Sequence, residues 1–222
     1  MKIRIFSLLV VLSLLFVMLS SCTRGNAFTV KNGNFVDKET GIEYISTSWE
    51  YEPISKSDEI YGEYPKLNNL VFYKLNGVDP QKYICDNMET LYYAKGLTIP
   101  ALAEMSIDYV NVYNQYDELV FNIKDIEFIA KLVDTYLNGY NSYSSIYLTN
   151  DTDVKTNHRI KFADAEEGFY YVLAYVEYTE PFSYFDEKGN ECQSDKILFN
   201  RYTQQYIVVD DFINDYYATL QE

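Results

Sequence analysis

The chain has 222 residues, with 33 acidic and 18 basic side chains and a formal charge of −15. A chain this acidic is repelled by nucleic acid and by anionic lipid surfaces, which argues against a nucleic-acid partner. Its length and its 48% hydrophobic content suit one ordinary domain, or two small ones, with a core that needs no staples.

Lys2 and Arg4 precede an apolar run from Ile5 to Leu19 that only Ser7 and Ser13 interrupt. The run falls short of the roughly 20 residues that a membrane-spanning helix needs. A basic start, a short apolar stretch and small residues at its end predict a secretory signal peptide over residues 1–21. The ending Leu19-Ser20-Ser21-Cys22 resembles the lipobox of bacterial lipoproteins: an apolar residue, two small ones, then cysteine. The resemblance covers residues 1–22 alone. It implies cleavage before Cys22, lipid on its thiol, and a protein tethered to the cell membrane or envelope on the extracytoplasmic side. Residues 22–27 then read as the lipidated tether and 28–222 as a single domain. Lys2 and Arg4 are the only charges in the segment removed, so −15 becomes −17. Two cysteines remain, Cys85 and Cys192. Outside the cytoplasm they are candidates for a disulfide that closes a loop of roughly 100 residues, worth about 4–5 kcal/mol in the chain-entropy model; two separate thiols are the alternative.

Residues 28 to 51 read as antiparallel strands, with a turn at Asn32-Gly33 and another at residues 37–41. An irregular stretch over 52–66 leads to a strand at 69–75. Asp79-Pro80 has the chemistry of a helix start and predicts a short helix near 80–86. A short strand "ETLYYA" comes next, then a hairpin of 106–114 with 118–123. Ile126, Ile129, Val133 and Leu137 recur at helical spacing and predict a strong helix near 124–138. Asn122 and Asp125 form a loose capping-box analogue before it, and Asn138-Gly139 ends it. The polar stretch 139–157 is the weakest join and a possible subdomain boundary. Strands return at 158–162, 168–180, 196–202 and 205–210, and a helix is predicted near 211–220 with Phe212 or Ile213, Tyr216 and Leu220 on one face. Both faces of 168–180 are apolar, as in a central strand. Together these elements predict an α+β fold, mostly antiparallel.

Catalytic patterns are sparse. His158 is the single histidine, and no nucleophile is placed beside it by the sequence. With so few His and Cys ligands, no zinc site is expected, and no cofactor-binding glycine motif is present. Asp151 and Asp153 have oxygen spacing compatible with calcium but lack the rest of a calcium loop, so no metal site is assigned. Glu50, Glu52 and Glu180 lie beside aromatic residues, the first places to look for a carboxylate pair.

The unusual feature is 24 tyrosines against one tryptophan. Tyrosine suits both a half-buried sheet and a recognition face. Two aromatic patches beside Glu-Pro turns are the candidate recognition residues: Trp49 with Tyr51, on one side of an extended segment, and Tyr178, Phe182 and Tyr184. The leading expectation is a lipid-anchored, non-enzymatic binding module for a protein or glycan partner. A carboxylate-based extracytoplasmic hydrolase and a structural envelope lipoprotein are the alternatives.

Overall fold

The computed structural model describes residues 25–67, 70–139 and 154–221. The expectations for the signal peptide, Cys22, Asp151 and Asp153 lie outside the described residues, as does most of the 139–157 join.

The first sheet, of seven strands, is a closed barrel. Its strands are β1 (Asn26–Lys31), β2 (Asn34–Asp37), β3 (Glu43–Ser46), β5 (Lys56–Tyr64), β6 (Leu70–Leu75), β7 (Tyr83–Asp86) and β8 (Leu91–Ala94), in the order β1-β2-β3-β8-β7-β6-β5. The β1–β2 turn takes Asn32 and Gly33 through positive φ at 52° and 85°, the geometry that lets a two-residue hairpin follow strand twist. Closure comes from β5 returning parallel to β1, with Asn26 opposite Gly62 and Ala27 opposite Glu63. Gly62 is required there: a Cβ would lie 2.4 Å from the Phe28 ring and 2.5 Å from the Asn26 carbonyl oxygen.

Aromatic rings fill the barrel. Phe28, Tyr44, Tyr61, Phe72 and Tyr92 are buried with Leu70, Ile84 and Ala94, and Phe72 sits 4.4 Å from Phe28 and 5.5 Å from Tyr92. Two fully buried aspartates satisfy tyrosine hydroxyls here. Tyr61 donates to Asp37 at 2.9 Å and Tyr92 to Asp86 at 3.0 Å. Each aspartate ends a strand and also folds the turn after it. Asp37 accepts from the Glu39 amide and the Thr40 hydroxyl; Asp86 accepts from the Met88 and Thr90 amides. Burial works against ionisation of Asp37, but the donors Thr40, Glu39, Asn26 and Tyr61 outweigh it and hold the carboxyl below its ordinary range.

The second sheet is antiparallel. It runs β10 (Leu119–Ile123), β9 (Tyr109–Tyr113), β11 (Val154–Asp164), β12 (Phe169–Phe185), β13 (Glu191–Asn200) and β14 (Gln205–Val208). A short strand, β4 (Tyr51–Pro53), pairs with the start of β12. Helices α1 (Ile126–Asn138) and α2 (Phe212–Thr219) are stapled together by the stacked rings of Phe128 and Tyr216, 3.7 Å apart. Their buried residues share one core with Val110, Ile160, Leu173 and Leu198 of the sheet. Leu75, Tyr83, Cys85 and Leu91 of the barrel strands join that same core, so the two sheets bury apolar surface against each other.

Several expectations are corrected. Strands make up 51% of the structure and helices 13%, so the chain is mostly β, a barrel beside a second sheet, and not α+β. The helix near 80–86 is absent. Asp79 caps a single turn by accepting from the Gln81 amide, and Tyr83 to Asp86 then enter the barrel as β7, all four residues buried. Pairing on both sides of β7 overrides the local helix signal. Helix α1 forms but rotates from the predicted face: Ile126 is 80% exposed, while Phe128, Ile129, Leu132 and Tyr136 point inward. Its cap is Asp125 itself, accepting from the Glu127 and Phe128 amides. The terminal helix forms as α2, with Ile213 and Tyr217 buried. No described helix is long and apolar enough to cross a membrane. Cys85 and Cys192 are free thiols on different sheets, so the disulfide is absent. Burial pushes the Cys85 thiol up to about 12, which leaves it protonated and inert.

Candidate functional site

The chain passes from barrel to second sheet through residues 47–50. Thr47 is fastened to the barrel, its amide and hydroxyl both donating to the Leu91 carbonyl at 2.9 Å. Tyr51 donates its amide back to the Ser48 carbonyl, which closes a tight turn with Trp49 and Glu50 at its corner. The Glu50 carbonyl then accepts from the Val172 amide and docks the turn onto β12. Trp49 is held on a rigid corner between two sheets, and its side chain is 88% exposed.

Two cavities, about 430 and 280 Å³, flank this corner, and Trp49, Glu52 and Arg159 line both. The larger one reaches the barrel hairpin β7–β8, where Met88, 73% exposed, forms a second apolar lip. The smaller one extends over β12 to the β13–β14 turn at Asn200, Arg201 and Tyr202.

The floor between them is charged. In β11, residues 159 and 161 project to the same face because strand side chains alternate. Arg159 pairs with Glu52 and, at 2.5 Å, with Asp117. Lys161 reaches the other oxygen of Glu52 at 2.8 Å and lies over the Tyr113 ring, 4.6 Å from its centre. Both oxygens of Glu52 are therefore occupied by cations. Glu50 accepts from the Asn200 amide at 3.0 Å. Of the three carboxylates singled out in the sequence, Glu50 and Glu52 are each engaged in the floor, and Glu180 is exposed at the far part of β12 and lines neither cavity. The pairs are partly exposed, so each adds at most about 1 kcal/mol to stability. Their main consequence is to fix the position of the floor beneath the indole.

The predicted recognition residues separate. Trp49 and Tyr51 sit on a turn rather than an extended segment; both line the larger cavity, Trp49 exposed and Tyr51 buried. Tyr51 is buried, its ring edge-on to Phe169 and Tyr171 and its hydroxyl donating to the Pro100 carbonyl at 3.0 Å. Burial, with Glu50 and Glu104 nearby, pushes its phenol up to about 12. Tyr178 and Phe182 pack edge-on at 5.6 Å, half-buried in a cluster with Val154, Phe199 and Tyr206, and line neither cavity. Tyr184 lines a separate groove with Lys131 and Lys196. Of the predicted set only Trp49 presents its ring freely in a cavity wall.

Sequence patterning alone does not single out Arg159, Lys161 and Asp117. A signal is nonetheless present in "HRIKF", where two cations alternate with apolar residues in a strongly acidic chain. His158, on the opposite face of that strand, lies near Tyr175 and Tyr217 instead of the cleft. Among the described residues no group of three His, Cys, Asp or Glu is placed to hold a metal ion. No family model, no curated protein and no solved structure matches the chain.

Proposed function

We propose that the protein is an extracytoplasmic binding module, tethered through lipid on Cys22, that takes a saccharide chain across the Trp49 corner. The observation that carries this reading is the exposed indole on a hydrogen-bonded turn, common to two cavities. Leaving so large an apolar ring in water forgoes on the order of 2–3 kcal/mol of burial energy, a cost that a bound ring face recovers. Sugar rings have one apolar face for the indole and hydroxyls for Ser48, Asp117 and Arg159 at the cavity margins. The turn is already held by backbone bonds, so binding orders little of the protein.

Trp49 is the only tryptophan, so its fluorescence reports this corner alone. Titration with neutral and acidic oligosaccharides, from pentoses to uronates, is expected to blue-shift or quench its emission with saturation. Trp49→Ala is expected to abolish binding measured calorimetrically, and Trp49→Phe to retain part of it. Unchanged emission and absent heat across the whole panel would reject the saccharide reading. The tether is tested separately by Cys22→Ala, which should end metabolic labelling by fatty acid; labelling that persists would reject the anchor.

A further inference from the structure

We propose that the saccharide is acidic and that Arg201, in the smaller cavity, receives its carboxylate; this rests on the saccharide reading above. Arg201 shares that cavity with Trp49 and Tyr202. Cations are scarce in this chain, 18 against 33 acids, and only three arginines follow Cys22. Two of those three, Arg159 and Arg201, line this one cavity. They are in opposite states. Arg159 is committed to Glu52 and Asp117. The guanidinium of Arg201 forms no ion pair and no ring contact among the described residues, although acidic side chains outnumber basic ones throughout.

The backbone that presents Arg201 is fixed. Asn200 is fully buried and accepts from the amides of Tyr202 at 2.8 Å and Thr203 at 3.0 Å. Gln204 completes the turn at φ 56° and donates its side-chain amide to the Arg201 carbonyl at 2.6 Å. Asn200 also donates to Glu50, so the Arg201 turn and the Trp49 turn are joined by one hydrogen bond. The result is one cavity lined by two exposed aromatics, Trp49 and Tyr202, and by a planar cation with no ion pair among the described residues. A pyranose bearing a carboxylate matches both at once: its ring face lies on an aromatic and its carboxylate takes the forked N–H donors of the guanidinium. A neutral sugar leaves that fork to water. Sulfate on a sugar ring offers similar oxygens, so the test includes it.

The probes are tetramers of galacturonate and of galactose, which share a ring and differ at the acid group, together with alginate and sulfated oligomers. Trp49 emission and calorimetry follow binding to the full mature protein at low salt. At least one acidic tetramer is expected to bind about tenfold tighter than its neutral counterpart, with the advantage shrinking as salt rises. Arg201→Gln is expected to remove that advantage while leaving neutral, Trp49-dependent binding in place, and Arg201→Lys to restore part of it. Preference for sulfated over carboxylated oligomers would reject the carboxylate assignment. Equal affinity for acidic and neutral tetramers, or an Arg201→Gln protein that keeps the preference, would overturn the proposal while the saccharide reading stands. Absence of binding by every probe would overturn both.

Discussion

Closure of the barrel hangs on very little backbone. The parallel seam between β1 and β5 consists of two opposed pairs, and Gly62 forms half of the first. Replacing it by alanine puts a methyl 2.4 Å from a Phe28 ring carbon and 2.5 Å from the Asn26 carbonyl oxygen. The ring has no free direction to turn, since Phe72 lies 4.4 Å away and Tyr61 and Tyr44 close the other sides at about 6 Å. The carbonyl belongs to the seam itself. Relief therefore requires β1 and β5 to part. Overpacking in a tight core costs about 1–3 kcal/mol, and with backbone as one of the obstacles Gly62→Ala belongs at the upper end. For a domain of this size that corresponds to a fall of roughly 6–12 °C in Tm. Gly77→Ala is the control: its Cβ meets nothing within 4 Å, and only its φ of 78° opposes the change, worth on the order of 1 kcal/mol. Urea unfolding of both variants, followed by far-UV circular dichroism, separates the two costs. A Gly62→Ala protein within about 0.5 kcal/mol of wild type, or no less stable than Gly77→Ala, would refute a closed seam at this position.

Other perturbations test other layers. Leu132 of α1 is fully buried between helix and sheet, so Leu132→Ala is expected to cost about 2–5 kcal/mol in chemical unfolding. His158 is held below its ordinary value of 6.5 by burial, which Glu177 only partly opposes, and its Nδ1 has no partner among the described residues. The neutral ring is the folded form, so the unfolded chain binds a proton first. Its contribution is fully present above pH 6.5 and is lost as pH falls through the lowered value; His158→Phe should flatten the urea midpoint against pH in that window. Trp49→Ala removes an exposed ring and should change stability by no more than about 0.5 kcal/mol while abolishing saccharide binding; a large loss of stability would mean the indole is structural.

The sequence reads well where a signal is local. The Asn32-Gly33 hairpin, the helix at 126–138 and the terminal helix all arise from short-range chemistry, and all form. The inward face of α1 is harder to read, because Ile126 and Leu137 continue an aliphatic period that the aromatics Phe128 and Tyr136 outcompete for the core. Residues 80–86 show the opposite failure. Asp79-Pro80 is a sound helix start, yet the conformation of residues 83–86 is decided by β6 and β8, whose pairing no local window reveals. Barrel closure is less legible still. It depends on two opposed pairs separated by some 36 residues, and its trace is one glycine that no periodicity marks.

Tyrosine abundance is the other ambiguous sign, and the structure divides it. Ten described tyrosines are buried, and the hydroxyls of nine have partners; Tyr217 is the exception. The residue type serves here as a core aromatic whose polar tip organises buried aspartates, asparagines and carbonyls, so its number carries no information about ligands. A sheet that uses tyrosine for packing has no need of tryptophan, and the single one is placed at the most exposed corner of the crossing between sheets. The same contrast holds for arginine: two of the three that follow Cys22 line one cavity at that corner, one committed to carboxylates and one without an ion pair among the described residues. Scarce residue types placed together on a rigid turn are a stronger pointer to a ligand than a common type spread through the fold. The site is therefore best sought from the rarest residues outward, with Trp49 first and Arg201 second.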